Sequence, residues 1–241
     1  MIWAVEDDGI DMNRNYQKEL DNLLGAEGKK GKRLLLHSCC APCSSYVLIY
    51  LRQYFRITVF YYNSNITEQT EYEKRREEQK RLIAVLNTEA AQQGILEEDG
   101  SSLSAWREES VFPIEIQEAP YEPEVFLNLA AGLETCPEGG LRCERCFQLR
   151  LEETAKLAKE LSYDYFTTTL TISPLKNARL LNEIGQQLAE QYEVPFLPSD
   201  FKKKEGYKQS VELSRKYDLY RQNYCGCVFS KAEKDSGKKP I

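Results

Sequence analysis

The chain has almost none of the features that would place it in a membrane or on a secretory route. No apolar run approaches the roughly 20 residues needed to span a bilayer. The opening segment, MIWAVEDDGIDMNRN, lacks the basic-then-apolar order of a signal peptide. A cytoplasmic location is the expectation. Positive charge is short as well. With 32 Lys and Arg against 38 Asp and Glu, the formal charge is −6 and the pI is near 5.2, which argues against a general nucleic-acid coat protein. Histidine occurs once, as His37. Internal repeats and long low-complexity segments are absent. What remains is an ordinary globular composition, 41% hydrophobic and 29% charged over 241 residues. That is enough to bury a core, and it favours one α/β domain with extensions over two full domains.

Residues 1–31 read as an appended leader, with a short polar helix over 16–24 and a flexible link, GAEGKKG, over 25–31. The catalytic domain is expected over 32–230. It opens with RLLLH (33–37), an apolar run suited to a buried strand, then a small-residue turn over 38–45 and a helix through 54. The β-branched and aromatic run ITVFYY (57–62) predicts a second strand. Interleaved acids and bases mark a helix with a solvated face over 68–89. A third strand or turn is expected near 95–96, leading to 102–109, a proline-interrupted stretch over 112–123, and a helix over 124–133. A long helix should begin at Cys143, followed by a strand over 163–169. Ser173-Pro174 has the N-cap and first-turn order of a helix start, with the helix running over 177–192 and a short strand at 194–197. The tail 231–241, rich in Lys, Gly and Ser, is expected to be disordered. Alternating strands and helices predict an α/β fold, a mainly parallel sheet with helices on both faces.

The eight cysteines carry most of the information. In a reducing compartment they would not form a structural disulfide framework, so metal ligation or redox chemistry is favoured. They are grouped: Cys39, Cys40 and Cys43 after the first strand; Cys136 by itself; Cys143 with Cys146 at a helix start; and Cys225 with Cys227 near the tail. Ligands of open α/β sheets sit beyond the carboxyl ends of strands, and helix N-termini stabilise thiolates, the form that binds metal. Cys39, Cys40, Cys143 and Cys146 therefore read as four soft ligands for a 4Fe-4S cluster or a structural zinc. Adjacent cysteines are unlike the two-plus-two spacing of zinc knuckles, which tilts the choice toward a cluster. A rival reading uses the same place: Cys40-Ala-Pro-Cys43 has the form of a thioredoxin-type pair, making the chain a thiol–disulfide oxidoreductase. Cys225-Gly-Cys227 can close a small, easily reduced disulfide ring because Gly226 permits the bend, or it is simply two thiols. His37 either touches the site or serves the core. Cys136, in a loop, reads as non-ligating.

Residues 200–221 hold seven Lys and Arg against four acids, a local excess in an acidic protein. Lys202, Lys203, Lys204, Lys208, Arg215 and Arg221 are interleaved with Phe201, Tyr207, Tyr217, Tyr220 and Tyr224. Such a segment offers phosphate contacts and stacking surfaces for an RNA loop, or is a solvated charged helix.

Five motifs, HSCCAPC (37–43), FYYNSNI (60–66), EGGLRCERCF (138–147), TTTLTISP (167–174) and YRQNYCGC (220–227), together resemble the cobalamin-independent epoxyqueuosine reductases of the QueH type. The resemblance implies a Rossmann-like sheet related to nucleotide α-hydrolases and ATP pyrophosphatases. It implies reduction of the epoxide of epoxyqueuosine at the wobble position of tRNA, with a separate electron donor and no membrane. It assigns a 4Fe-4S cluster to Cys39, Cys40, Cys143 and Cys146 and a redox-active pair to Cys225 and Cys227. Some relatives have Asp where this chain has Cys43, and an additional mononuclear iron is associated with that neighbourhood, which makes Cys43 a candidate ligand for a second iron. An ATP pyrophosphatase activity is disfavoured, because the turn over 38–45 holds no glycine for a phosphate loop.

Overall fold

A computed structural model describes residues 14–25, 30–96 and 110–237. Four strands form one sheet in the order β3-β2-β1-β4, and every pairing is parallel. The first strand, β1 (Lys32–His37), sits at its centre, pairing Leu34 with Ile57 of β2 (Phe55–Tyr61) and with Tyr165 of β4 (Tyr165–Thr168). The apolar run dictates this position. Leu34, Leu35 and Leu36 are all fully buried, as a strand covered on both faces requires. Strand alternation then sends Leu34 and Leu36 into one core and Leu35 into the other.

Helices α2 (Ala41–Leu51) and α3 (Gln69–Gln92) supply Leu48, Leu51, Leu82 and Leu86 to the first core. Helices α5 (Leu141–Glu160) and α6 (Ala178–Tyr192) supply Leu151, Ala155, Leu181 and Leu188 to the second. The expected α/β sheet with helices on both faces is therefore present. Helix α1 (Tyr16–Leu24) forms where the leader helix was expected, capped by the Asn15 side chain accepting from Lys18 N. Its Leu20 and Leu24 are buried in the first core, so this part of the leader packs on the sheet.

Several boundaries differ from the sequence reading. The third strand, β3 (Glu115–Glu118), lies inside the proline-interrupted stretch, and residues 95–96 contribute only an isolated bridge from Leu96 to Val111. The reason is its edge position: a polar, partly exposed EIQE segment carries little hydrophobic signal. Helix α4 (Pro123–Ala130) follows. Ser173-Pro174 does not start a helix. A 3-10 turn spans Thr169–Ile172, Lys176 N closes a turn on Ser173 O at 3.2 Å, and α6 begins only at Ala178 because Asn177 provides the cap. Residues 194–197 make one bridge, Phe166 to Phe196. After α7 (Gly206–Lys216), helix α8 (Val228–Asp235) occupies 231–235, in place of the disordered tail that the composition predicts there. Glu233 anchors it, bonding Arg142 Nη2 at 3.0 Å. The expectations for 1–13, for most of the link over 26–29, for 102–109 and for 238–241 fall outside the described residues.

Candidate active site: a thiol-lined cavity

The site lies past the carboxyl end of β1, where the chain turns into α2. Cys40 is the residue preceding α2; its backbone is extended and its side chain makes no capping bond, which leaves the sulfur free to turn inward. Pro42 occupies the first turn of α2, where its missing N–H costs nothing. The sulfurs of Cys39, Cys40 and Cys43 lie within 4.8 Å of one another, with Cys39 Sγ and Cys40 Sγ 3.8 Å apart. The turn is fixed from behind: the Ser38 and Ser44 hydroxyls each donate to Gln79 Oε1 at 2.8 Å. S–H groups of Cys40 and Cys43 directed at Cys39 hold its thiol well below the usual range. Donation to Cys39 pushes Cys40 up to about 12, and Cys43 is raised for the same reason.

Cys143 and Cys146 stand one turn apart at the start of α5. Gly139 N donates to Cys143 Sγ at 3.2 Å. Burial pushes Cys143 up to about 11 and Cys146 up to about 12. They share a small recess, walled by Phe126 and Phe147, with Cys225 and Cys227. Cys225 also lines the neighbouring cavity of about 470 Å³, together with Cys39, Cys43, Arg150, Lys176 and Arg221. Cys225 thus borders both spaces, whereas Cys39 and Cys43 line only the cavity and Cys143 and Cys146 only the recess; among the described residues the sulfurs that gather within 4.8 Å are those of Cys39, Cys40 and Cys43. Cys136 stays outside these groups. All eight cysteines are free thiols.

Cys225 and Cys227 sit on a strap between α7 and α8 that is held by side chains rather than by the sheet. Arg75, 2% exposed and paired with Glu71 at 2.6 Å, donates to Cys225 O at 3.0 Å and Tyr224 O at 3.4 Å. Gly226 has φ +124°, and a Cβ there would lie 2.9 Å from Ile66 Cγ1 and 3.2 Å from Arg75 Nη1, so glycine is required. Gln222 Nε2 donates to Cys40 Sγ at 2.8 Å, tying the strap to the first thiol group.

Behind the thiols lies a buried polar network. Arg150 Nε donates to His37 Nε2 at 3.2 Å, and Arg150 Nη2 donates to Asn63 Oδ1 at 2.6 Å. His37 Nε2 thus faces the Arg150 donor and, at 3.2 Å, the Tyr62 carbonyl oxygen, while Nδ1 lies 2.8 Å from Thr168 Oγ1. Burial first, then Arg150, push His37 down to about 3, so it stays neutral. His37 therefore serves the network behind the site. Lys176 is half-buried in the cavity wall. Burial alone would lower it, but Cys225, Cys39 and Cys43 raise it, keeping the ammonium charged.

The segment 200–221 divides in the structure. Lys202 pairs with Asp200 at 2.8 Å, and Lys204 with Asp21 at 2.6 Å. Lys203 and Arg215 are exposed. Arg221 lines the cavity, as do Tyr207 and Tyr224. Phe201 and Tyr217, expected as stacking surfaces, are instead buried in the first core, and Tyr220 is bonded to Glu71. The sequence alone does not single out Arg75, Arg150, Lys176 or Gln222. Arg150 was detectable, since it lies on the same helical face as Cys143 and Cys146 at i+7 and i+4. Arg75 reaches the strap across 150 residues and carries no local signal.

The family model described as Epoxyqueuosine reductase QueH matches residues 34–233. The chain belongs to this family. A relative named epoxyqueuosine reductase QueH from Staphylococcus epidermidis is 42% identical over 220 residues, covering 90% of this chain and 84% of that one. The protein of the same name from Streptococcus pyogenes is 39% identical over 218 residues, with 90% and 78% covered. The one from Thermotoga maritima is 32% identical over 204 residues, with 83% and 91% covered. Membership makes the chain an oxidoreductase of the epoxyqueuosine reductase family. Among the described residues, no helix is long and apolar enough to cross a membrane.

The donor set fits a bound metal group. Its ligands are soft sulfur atoms, as iron–sulfur clusters and zinc require. Backbone and amide N–H groups point at sulfur from Gly139 and Gln222, and the cations Arg150 and Lys176 stand ready to offset thiolate charge. The rival thioredoxin-type pair fits less well. Cys40 is 1% exposed, whereas an exchanging thiol must be accessible.

Proposed function

We propose that this chain reduces the epoxide of epoxyqueuosine at the wobble position of tRNA, giving queuosine, and that it works in the cytoplasm. In this reading Cys39, Cys40, Cys143 and Cys146 hold a 4Fe-4S cluster. The observation that carries it is that Cys225 borders both the cavity lined by Cys39 and Cys43 and the adjoining recess lined by Cys143 and Cys146, in a chain of this family. The bound cluster would supply electrons singly at the wall of the cavity. Cys43, the third sulfur of its group, is the ligand available to an additional mononuclear iron.

Converting the epoxide to an alkene takes two electrons and two protons and releases the oxygen as water. Cys225 and Cys227 match that stoichiometry: closing their disulfide gives up two electrons and two protons, and an external electron donor restores the dithiol. Lys176 would place a charged N–H donor in the cavity, suited to hydrogen-bonding the departing oxygen. The cavity volume suits a splayed-out base, with Tyr207 and Tyr224 as stacking surfaces and Arg221 beside them for phosphate. Lys202, Lys203, Lys204 and Arg215 would add weaker contacts to the tRNA body.

The test is iron and sulfide content, with epoxyqueuosine conversion, on protein purified without oxygen. Cys40→Ala and Cys146→Ala should each lose iron, visible absorbance and activity. Retained iron and colour in both variants would sink the ligand assignment.

A further inference from the structure

Four arginines are buried among the described residues, and three have oxygen partners in keeping with their charge. Arg75 has the carboxylate of Glu71, and Arg142 has that of Glu233 together with the carbonyls of Leu133 and Glu134. Arg52 donates to two carbonyls and to Asn87 Oδ1. Arg150 differs. It is 1% exposed, has no carboxylate within ion-pair distance, and its conventional acceptors are one ring nitrogen and one amide oxygen. Burying a charge without a counter-ion costs several kcal/mol. Arg52 also lacks a carboxylate but donates to three oxygens, whereas Arg150 has one oxygen and one nitrogen acceptor, the least compensation of the four, which points to an anion other than the oxygen atoms around it.

The sulfur atoms supply it. Arg150 lies beside Cys146, Cys39 and Cys225, and it lines the main cavity with the latter two. Its place on α5 is not incidental, because Cys143, Cys146 and Arg150 fall on one helical face. A cluster bound by four thiolates is a net anion, and each added electron makes it more so. Net charge is one of the terms that set cluster potential, and a fixed cation favours the more negative state.

We propose that Arg150 is the counter-charge of the thiolate-bound cluster, a positioning residue whose buried guanidinium raises the cluster's midpoint potential. The inference rests on the cluster reading above. It deepens that reading by assigning the charge that makes electron uptake favourable. His37 and Asn63 complete the arrangement: both are neutral acceptors, so they orient the guanidinium without cancelling its charge.

Redox titration of the anaerobically purified holoprotein, followed by visible absorbance and electron paramagnetic resonance, tests this. Arg150→Met removes the charge and Arg150→Lys keeps it. Asn63→Asp leaves Arg150 in place but gives it the missing carboxylate, 2.6 Å from Nη2 in the present geometry. Arg150→Met and Asn63→Asp should each weaken electron uptake by about tenfold or more, a shift of about 59 mV or more to negative potential for one electron. Arg150→Lys should stay near the wild-type value. Should Arg150→Met fail to fold, the other two variants decide. Iron-loaded Asn63→Asp with an unshifted potential overturns the proposal, as does Arg150→Lys shifted as far as Arg150→Met. A wild-type protein without iron and sulfide refutes the cluster reading itself, and this inference falls with it.

Discussion

The two thiol-bearing regions that meet at the cavity are built in opposite ways. Cys39, Cys40 and Cys43 sit where the central strand enters a helix, with fully buried Leu34, Leu35 and Leu36 behind them and Gln79 gripping the turn. Cys225 and Cys227 sit on a strap without strand or helix of its own, held by Arg75, Gln222 and a glycine at positive φ. The first arrangement is rigid because moving it would disturb the sheet. The second can move at the cost of a few hydrogen bonds, each worth about 0.5–1.5 kcal/mol net. A ligand must be held while idle, whereas a relay must approach, react and withdraw. The contrast supports giving the first region ligand duty and the second electron transfer.

The largest effect that would break this contrast is on turnover. Cys227→Ser should keep iron content and colour while abolishing multiple turnover, with part of the activity returning when a strong chemical reductant feeds the cluster directly. Iron content and conversion measured on one preparation decide it: loss of the cluster would make the strap a ligand, and full turnover would make it a bystander.

Stability offers the next test. Gly226→Ala should destabilise the strap by about 1–3 kcal/mol, from backbone strain and the clash with Ile66. Hydrogen exchange should then rise at Tyr224 to Cys227 and stay unchanged at Leu34 to His37. Equal loosening of both regions would show that they form one unit.

On the sheet side, pH is the probe. His37 is held at about 3 against an ordinary value of 6.5, so between these limits the unfolded chain binds a proton that the folded protein refuses. Stability from this residue is complete above pH 6.5 and is lost as pH falls toward 3, at about 1.4 kcal/mol per pH unit. Urea unfolding of the apoprotein across this window should show a shallower slope for His37→Gln than for wild type. An identical slope would mean that the histidine titrates freely in the folded state.

The smallest effect concerns tRNA. Arg221→Glu, at the cavity, should weaken tRNA binding and lower the salt slope by about one or more. Charge reversal at Lys202 and Lys204, already paired with Asp200 and Asp21, should do less. A filter-binding series in salt that reverses this order would move the RNA surface away from the cavity mouth.

Much of this was legible in the residues, because local chemistry was enough to write it. A run of leucines demands a covered central strand. Paired cysteines at turns and helix starts announce thiolate chemistry, and their order resembles one family. Even Arg150 was within reach of helical periodicity. Other features depended on long-range contact. The polar edge strand β3 carries no hydrophobic pattern, and Ser173-Pro174 looks like a helix start until Asn177 takes the cap. The segment 200–221 showed a charge excess, but only packing reveals that Asp21 neutralises Lys204 from another element, that Phe201 and Tyr217 are core, and that Lys176 and Arg221 face the cavity. The strap is the clearest case. The sequence alone determined that two thiols flank a glycine, while the tertiary structure decided where they sit. The contacts that hold them, from Arg75 on α3 and from Gln222 to Cys40, join residues 150 and 182 positions apart, and no local pattern encodes a hydrogen bond across that distance.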